Sequence, residues 1–321
     1  MNVLTMGIYA SILIAVILLI RALALYRIPK WAFSALWGIT VIRLLIPFHI
    51  PIGISVPVQA SAVPGPILQE HIPSLMEAFP DQVIMLWGLV GAVLFVVFAV
   101  RYLRGYQKLS TSLPCAHPAA QEWLQTHKLM RTIQVRVSDQ ITQPLTYGVI
   151  KPVIVLPKKF DWNDSEKLSY ILSHEFSHIK RFDAGMKMLL ALALCVHWFN
   201  PLVWAMYFCA NRDMELACDH SVIRKMSATQ KAVYANTLLA FSHKPIQGVP
   251  LFSGFSRYAI SERIVAITKA KKCAAVGIIG AILVTMAVTF SFLSFSIAPY
   301  VPGLSAGPPD NVNALLVDPG R

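Results

Sequence analysis

The sequence predicts a mainly α-helical, polytopic membrane protein that carries a further helical domain with a small β-hairpin or sheet. Three observations predict it. Of 321 residues, 56% are apolar and 14% charged, with a mean hydropathy of +0.58, whereas soluble domains average roughly half apolar and a quarter charged. Long runs without a charged side chain are flanked by Lys and Arg. Between these runs lies a capped helix carrying two histidines four residues apart. A large multidomain soluble enzyme is thereby excluded.

The first run, Val3 to Ile20, precedes Arg21, Arg27 and Lys30. A signal peptide has the reverse order, so the run is read as a span with its N-terminus outside. Trp31 to Ile50 returns the chain outward, interrupted by Arg43, which either snorkels to an interface or marks a polar site. The proline-rich segment 51–82 contains Glu70, Glu77 and Asp81 but no Lys or Arg, as expected of an external loop. Val83 to Val100 is a third run, closed by Arg101, Arg104 and Lys108. These form an N-terminal membrane region, 1–103.

Residues 104–272 are expected to form a cytoplasmic domain. Leu145 to Leu156 alternates β-branched residues around Gly148 and Lys151-Pro152, suggesting a hairpin that is either structural or offers an edge to an extended peptide. Asp164 or Ser165 caps the next helix, which carries His174-Glu175-Phe176-Ser177-His178. Histidines at i and i+4 share a helix face, so both imidazoles can hold one Zn2+, while the adjacent Glu175 can polarise a water. Glu215 is the candidate third ligand, leaving a fourth position for water. Asp219, one turn on, either holds a ligand histidine or forms a surface ion pair. His197, His220 and Cys218 are read as structural or peripheral.

Met188 to Asn211 has no charged residue. One straight helix of that length would run roughly 30 Å or more and carry Glu215 across the bilayer, away from His174 and His178. Asn200-Pro201 interrupts the run, and proline ends or turns a helix. A membrane-inserted hairpin, 184–211, is therefore expected, turning near Phe199-Asn200-Pro201. A final span, 273–298, follows Lys269, Lys271 and Lys272 and leads to a short external tail, 299–321.

Lys and Arg total 28 against 16 Asp and Glu, a net charge of +12. In such a protein this excess reads as positive-inside topology, with no direct contact to nucleic acid. Five cysteines without a CxxC pair suggest neither disulfides nor a zinc ribbon.

These motifs, together with Pro144 to Pro157, His174 to Asp183, His197 to Trp204 and Glu215 to Asp219, resemble the membrane zinc metallopeptidases of the BlaR/MecR type, antirepressor-like signal transducers. The resemblance implies a gluzincin-like peptidase domain facing the cytoplasm. It places one Zn2+ per chain on His174, His178 and Glu215, with Glu175 as general base. It further implies a bacterial cell membrane, a cytoplasmic protein substrate such as a DNA-binding repressor, and cleavage of the chain itself; a homodimer is one open arrangement.

Sensor-bearing relatives carry a penicillin-binding domain with a nucleophilic SxxK serine after the last span. Ser177-His178-Ile179-Lys180 lies inside the zinc motif, so no such sensor is expected within this sequence. The rival readings are a quality-control membrane zinc protease and a catalytically silent receptor or scaffold. Tyr147, Tyr207 and Tyr234 are open candidates for stabilising an oxyanion.

Overall fold

The computed structural model describes residues 3–26, 28–46, 81–242 and 257–269, with 280 and 283. Most of the expected external loop 51–82, nearly all of the run 273–298, and the tail 299–321 lie outside the described residues.

The chain is mainly helical with a small sheet. Helices α1 (Val3–Ala24), α2 (Lys30–Leu45) and α3 (Asp81–Ser110) come first. Strand β1 (Leu113–Pro114), helix α4 (Pro118–Thr126) and strands β2 (Gln134–Ser138), β3 (Leu145–Tyr147) and β4 (Val153–Pro157) follow. Helices α5 (Ser165–Lys180), α6 (Asp183–Val196), α7 (Pro201–Ile223), α8 (Ala228–Ser242) and α9 (Arg257–Thr268) complete the described fold.

Among the described residues, α1 from Met6 to Ala24 and all of α3 are long and apolar enough to cross a membrane. α2 is shorter than the run expected to end at Ile50. It has 16 residues and stops at Leu45, where Ile46 turns extended with ψ 117°. The reason is local: Ile46 precedes Pro47, whose ring disfavours helical geometry in the residue before it. Arg43 lies half-buried in the last turn of α2.

The chain reverses between α6 and α7 near Phe199-Asn200-Pro201, and α7 continues beyond residue 211 to Ile223. Asn200 caps α7, its side chain accepting from the Leu202 amide at 3.0 Å, and Pro201 occupies the first turn. There proline's missing N–H costs nothing and its fixed φ suits a helix start. At the hairpin tip, Trp87 of α3 donates to the Val196 carbonyl at 3.0 Å and Trp198 donates back to the Trp87 carbonyl at 3.2 Å. A Cβ on Gly91 would meet the Cys195 carbonyl oxygen at 2.9 Å, so glycine permits this close α3–α6 approach. The other side of the hairpin packs on α1 and α2 through Leu13, Phe33, Trp37, Leu194, Met206 and Met214.

The sheet runs in the order β1-β2-β4-β3. The expected hairpin is its β3–β4 end, antiparallel with Thr146 opposite Ile154 and Tyr147 opposite Val153. Gly148 makes the turn with φ +85°, and a Cβ there would lie 2.5 Å from the Lys151 carbonyl oxygen. Sequence reasoning missed β1 and β2, and β2 pairs parallel with β4. All five residues of β4 are buried, and Ile154 and Leu156 pack against Leu168, Ile171 and Leu172 of α5. Each such side chain contributes about 1.5–3 kcal/mol on burial, which locks α5 across the sheet. β3 remains as an edge strand beside α5.

A buried ionic cluster fixes the far side of α7. Arg21 donates to Asp213 at 2.9 Å and to Glu262 of α9 at 2.7 Å, while Trp37 donates to the other Asp213 oxygen at 2.8 Å.

Candidate metal centre

α5 begins as a capped helix should: Asp164 accepts from the Lys167 amide at 2.9 Å. From that start, His174 and His178 fall on one face one turn apart. Their Nε2 atoms are 3.2 Å apart. The return of α7 brings Glu215 between them, Oε2 3.5 Å from His174 Nε2 and Oε1 3.6 Å from His178 Nε2.

These separations test whether a metal fits. A tetrahedral Zn2+ with bonds of about 2.0–2.2 Å needs donors roughly 3.4 Å apart, which is the spacing of this trio. Glu215 Oε2 is also buried without a hydrogen-bond partner, although such an atom normally has one. Two imidazole lone pairs and a carboxylate facing one another at this range call for a cation. His174, His178 and Glu215 are therefore residues that can hold a metal ion.

Each histidine is gripped from behind. His174 Nδ1 lies 2.9 Å from the Tyr234 hydroxyl and 3.2 Å from Asp219 Oδ1. Tyr234 donates to Asp219 at 2.7 Å. Arg263 clasps Asp219 with two bonds of 2.6 Å, and its Nη1 lies 3.3 Å from Glu215 Oε2. Asp219 is thus buried among these partners and not a surface ion pair, being 1% exposed. Burial would raise its carboxyl, but the Arg263 guanidinium overrides this and holds it below the usual range. Glu215 behaves likewise: burial opposes its charge, and His178, His174 and Arg263 hold it well below its ordinary value.

His178 Nδ1 meets Asp183 Oδ2 at 2.7 Å. That contact depends on Phe182, whose left-handed backbone, φ 58°, reverses the chain between α5 and α6. Such a conformation is strained for a residue with a Cβ. Arg131 braces it, stacking 3.7 Å from the Phe182 ring and donating to the carbonyls of Val149 and Ile179. Cys218 donates to the same Asp183 oxygen at 3.3 Å, and burial pushes its thiol up to about 12.

Glu175 accepts from the Thr146 hydroxyl at 2.7 Å, so the edge strand orients this carboxylate. A cleft opens between β3 and α6, lined by Thr146, Tyr147, His178, Lys187 and Met188. The three tyrosines have separate places. Tyr147 lines the cleft with its ring edge-on to Tyr106, Tyr207 packs on Phe98 in the helical bundle, and Tyr234 stands behind His174. His197 is a core residue, its Nε2 3.0 Å from the Leu44 carbonyl oxygen. His220 is half-buried, outside the trio.

Sequence reasoning missed Thr146, Asp183, Lys187 and Arg263 as parts of this centre, and it offered Tyr234 only as one of three candidates for an oxyanion, not as a partner of His174. Asp183 alone left a signal, an acid five residues after His178 across the end of the metal helix.

The profile of a family described as BlaR1 peptidase M56 matches residues 1–267. Among curated proteins, the chain is 36% identical over 105 residues to the "Regulatory protein BlaR1" of Bacillus licheniformis, covering 33% of this chain and 18% of that protein. It is 26% identical over 168 residues to the "Methicillin resistance mecR1 protein" of Staphylococcus aureus strain Mu50, covering 50% and 28%. The "Regulatory protein BlaR1" of Staphylococcus aureus is 24% identical over 128 residues, covering 40% and 21%. The aligned stretches span less than a third of each relative's length.

Proposed function

The chain belongs to the BlaR1 peptidase M56 family, and from that premise we propose a membrane-embedded zinc metalloendopeptidase that hydrolyses peptide bonds on the cytoplasmic side. The observation that carries the reading is the trio His174, His178 and Glu215, with donor atoms 3.2–3.6 Å apart beside Glu175. The role is signal transduction, by cleavage of the chain itself or of a transcriptional repressor. The regulatory names of the relatives support it.

His174, His178 and Glu215 would hold the Zn2+, one per chain. Bound there, the ion supplies Lewis acidity and lowers the pKa of a water toward about 7. Glu175, aimed by Thr146, takes the proton of the attacking water as its oxygen bonds to the carbonyl carbon. Glu175 then delivers that proton to the departing amine nitrogen. Asp219 and Asp183 keep the imidazole Nδ1 atoms hydrogen-bonded, so both rings present Nε2. The edge of β3 can add an extended substrate strand in the adjoining cleft.

The polytopic arrangement rests on α1 and α3, which are long and apolar enough to cross a bilayer. Their basic ends support a cytoplasmic site. Arg21 at the end of α1 contacts Asp213, two residues from Glu215, and α3 ends next to β1.

The test uses the purified full chain in lipid nanodiscs with fluorescein-labelled casein. Wild type should bind one zinc and cleave. Glu175→Gln should keep the zinc and lose cleavage, whereas His174→Ala or His178→Ala loses both. An active Glu175→Gln protein would sink the mechanism.

A further inference from the structure

We propose that Arg21 is a positioning residue for the metal ligand Glu215, tying the C-terminal end of α1 to the metal centre through Asp213 and Glu262. The assignment rests on the reading of His174, His178 and Glu215 as a metal site.

A basic residue at the end of a span ordinarily serves topology, its charged head snorkelling to water and headgroups. Arg21, in the last turn of α1, does otherwise: its side chain is 13% exposed and reaches carboxylates of two other helices. Nε donates to Asp213 Oδ1 of α7, and Nη2 donates to Glu262 Oε1 of α9. Asp213 is 1% exposed, and Trp37 of α2 donates to its second oxygen. A buried carboxylate stripped of its cation is strongly destabilising, so this clasp holds α7 at one rotation against α1 and α2.

That rotation sets where Glu215 points. Successive residues of an α-helix turn by about 100°, which puts Asp213 and Glu215 about 200° apart on α7. Asp213 faces α1 and α2, while Glu215 faces the two histidines of α5. Fixing the first therefore fixes the azimuth of the second. Neighbouring residues of α9 divide in the same way. Glu262 meets Arg21, whereas Arg263 clasps Asp219 and faces Glu215 Oε2 at 3.3 Å. Arg21 thus anchors α7, which carries Glu215 and Asp219, and α9, which carries Arg263.

Close-packed interiors transmit strain. With Arg21 removed, the buried Asp213 charge loses its cation, α7 shifts toward a new partner, and Glu215 leaves its spacing of 3.5 Å from His174 Nε2 and 3.6 Å from His178 Nε2. The contact of α1 with the hairpin tip supplies a control. There Ser11 accepts from the Asn200 side chain at 2.6 Å, about four helical turns from Glu215.

The test uses the purified full chain in nanodiscs. Cobalt(II) is loaded in place of zinc, its visible absorption band reporting ligand geometry, and zinc affinity is measured by competition with a fluorescent chelator. Arg21→Met should shift the cobalt band and weaken zinc binding about tenfold, the low end of the effect of partners behind a metal ligand. Arg21→Lys keeps a charge with three donors, and should restore the band and bring affinity to within about threefold of wild type. Glu262→Ala leaves Asp213 paired, and should shift the band in the same direction by less. Ser11→Ala should keep the wild-type band and affinity. A wild-type band and affinity in Arg21→Met, or in Glu262→Ala where Arg21→Met does not fold, overturns the assignment. An equal shift in Ser11→Ala also overturns it, marking general loosening of α1. Failure of the wild type to bind either metal overturns the metal reading together with the assignment.

Discussion

Asp183 Oδ2 lies 2.7 Å from His178 Nδ1, five residues away across the left-handed turn at Phe182. This contact ties the inner hairpin arm to the metal helix. The α5–α6 turn therefore does two jobs, reversing the chain and fixing the orientation of one imidazole. Carboxylates behind ligand histidines set the ring orientation and raise its basicity.

Asp183→Ala should weaken zinc binding by about 10–100-fold, the range typical of partners behind a metal ligand. Competition with a fluorescent chelator measures it. Unchanged affinity in a folded variant would show that His178 needs no such partner.

Thr146 donates a hydrogen bond to Glu175 and, among the described residues, makes none to the three residues that can hold the metal. Thr146→Val keeps the side-chain shape and removes the hydroxyl, so zinc content should stay while cleavage drops by about 10–100-fold, in line with a lost hydrogen bond to a charged group of roughly 1.5–3 kcal/mol. Thr146→Ser should restore it. Equal rates in Thr146→Val and wild type would separate β3 from the chemistry.

Arg263 and Asp219 form a pair in which each side chain is 2% exposed. Arg263→Gln leaves the Asp219 charge buried without its partner, a loss of about 3–5 kcal/mol. Thermal melting should fall markedly for the single variant and recover in large part when Asp219→Asn is added. A double variant no more stable than the single one would contradict this pairing.

Local signals made half of the centre legible in the sequence. His174, Glu175 and His178 are fixed by helix periodicity, and Asn200-Pro201 forces the reversal that brings Glu215 back. Asp219 was legible as one of two alternatives, since i+4 spacing from Glu215 fixes its helix face but not what meets it. The remaining partners come from far along the chain. Thr146 is 29 residues from Glu175, Tyr234 is 60 from His174, and Arg263 is 89 from His174. No periodicity links such positions, because tertiary packing alone brings them together. Strand β2 was missed for the same reason, its parallel partner β4 lying beyond β3 in sequence.

The central claim is that Glu175 drives peptide-bond hydrolysis in the cell. Its most direct test compares newly created protein N-termini in host cells expressing wild type or Glu175→Gln. Termini present only with wild type, including any within the chain itself, are the predicted result and would identify the substrates. Identical sets of termini, with both proteins folded and zinc-loaded, would contradict it.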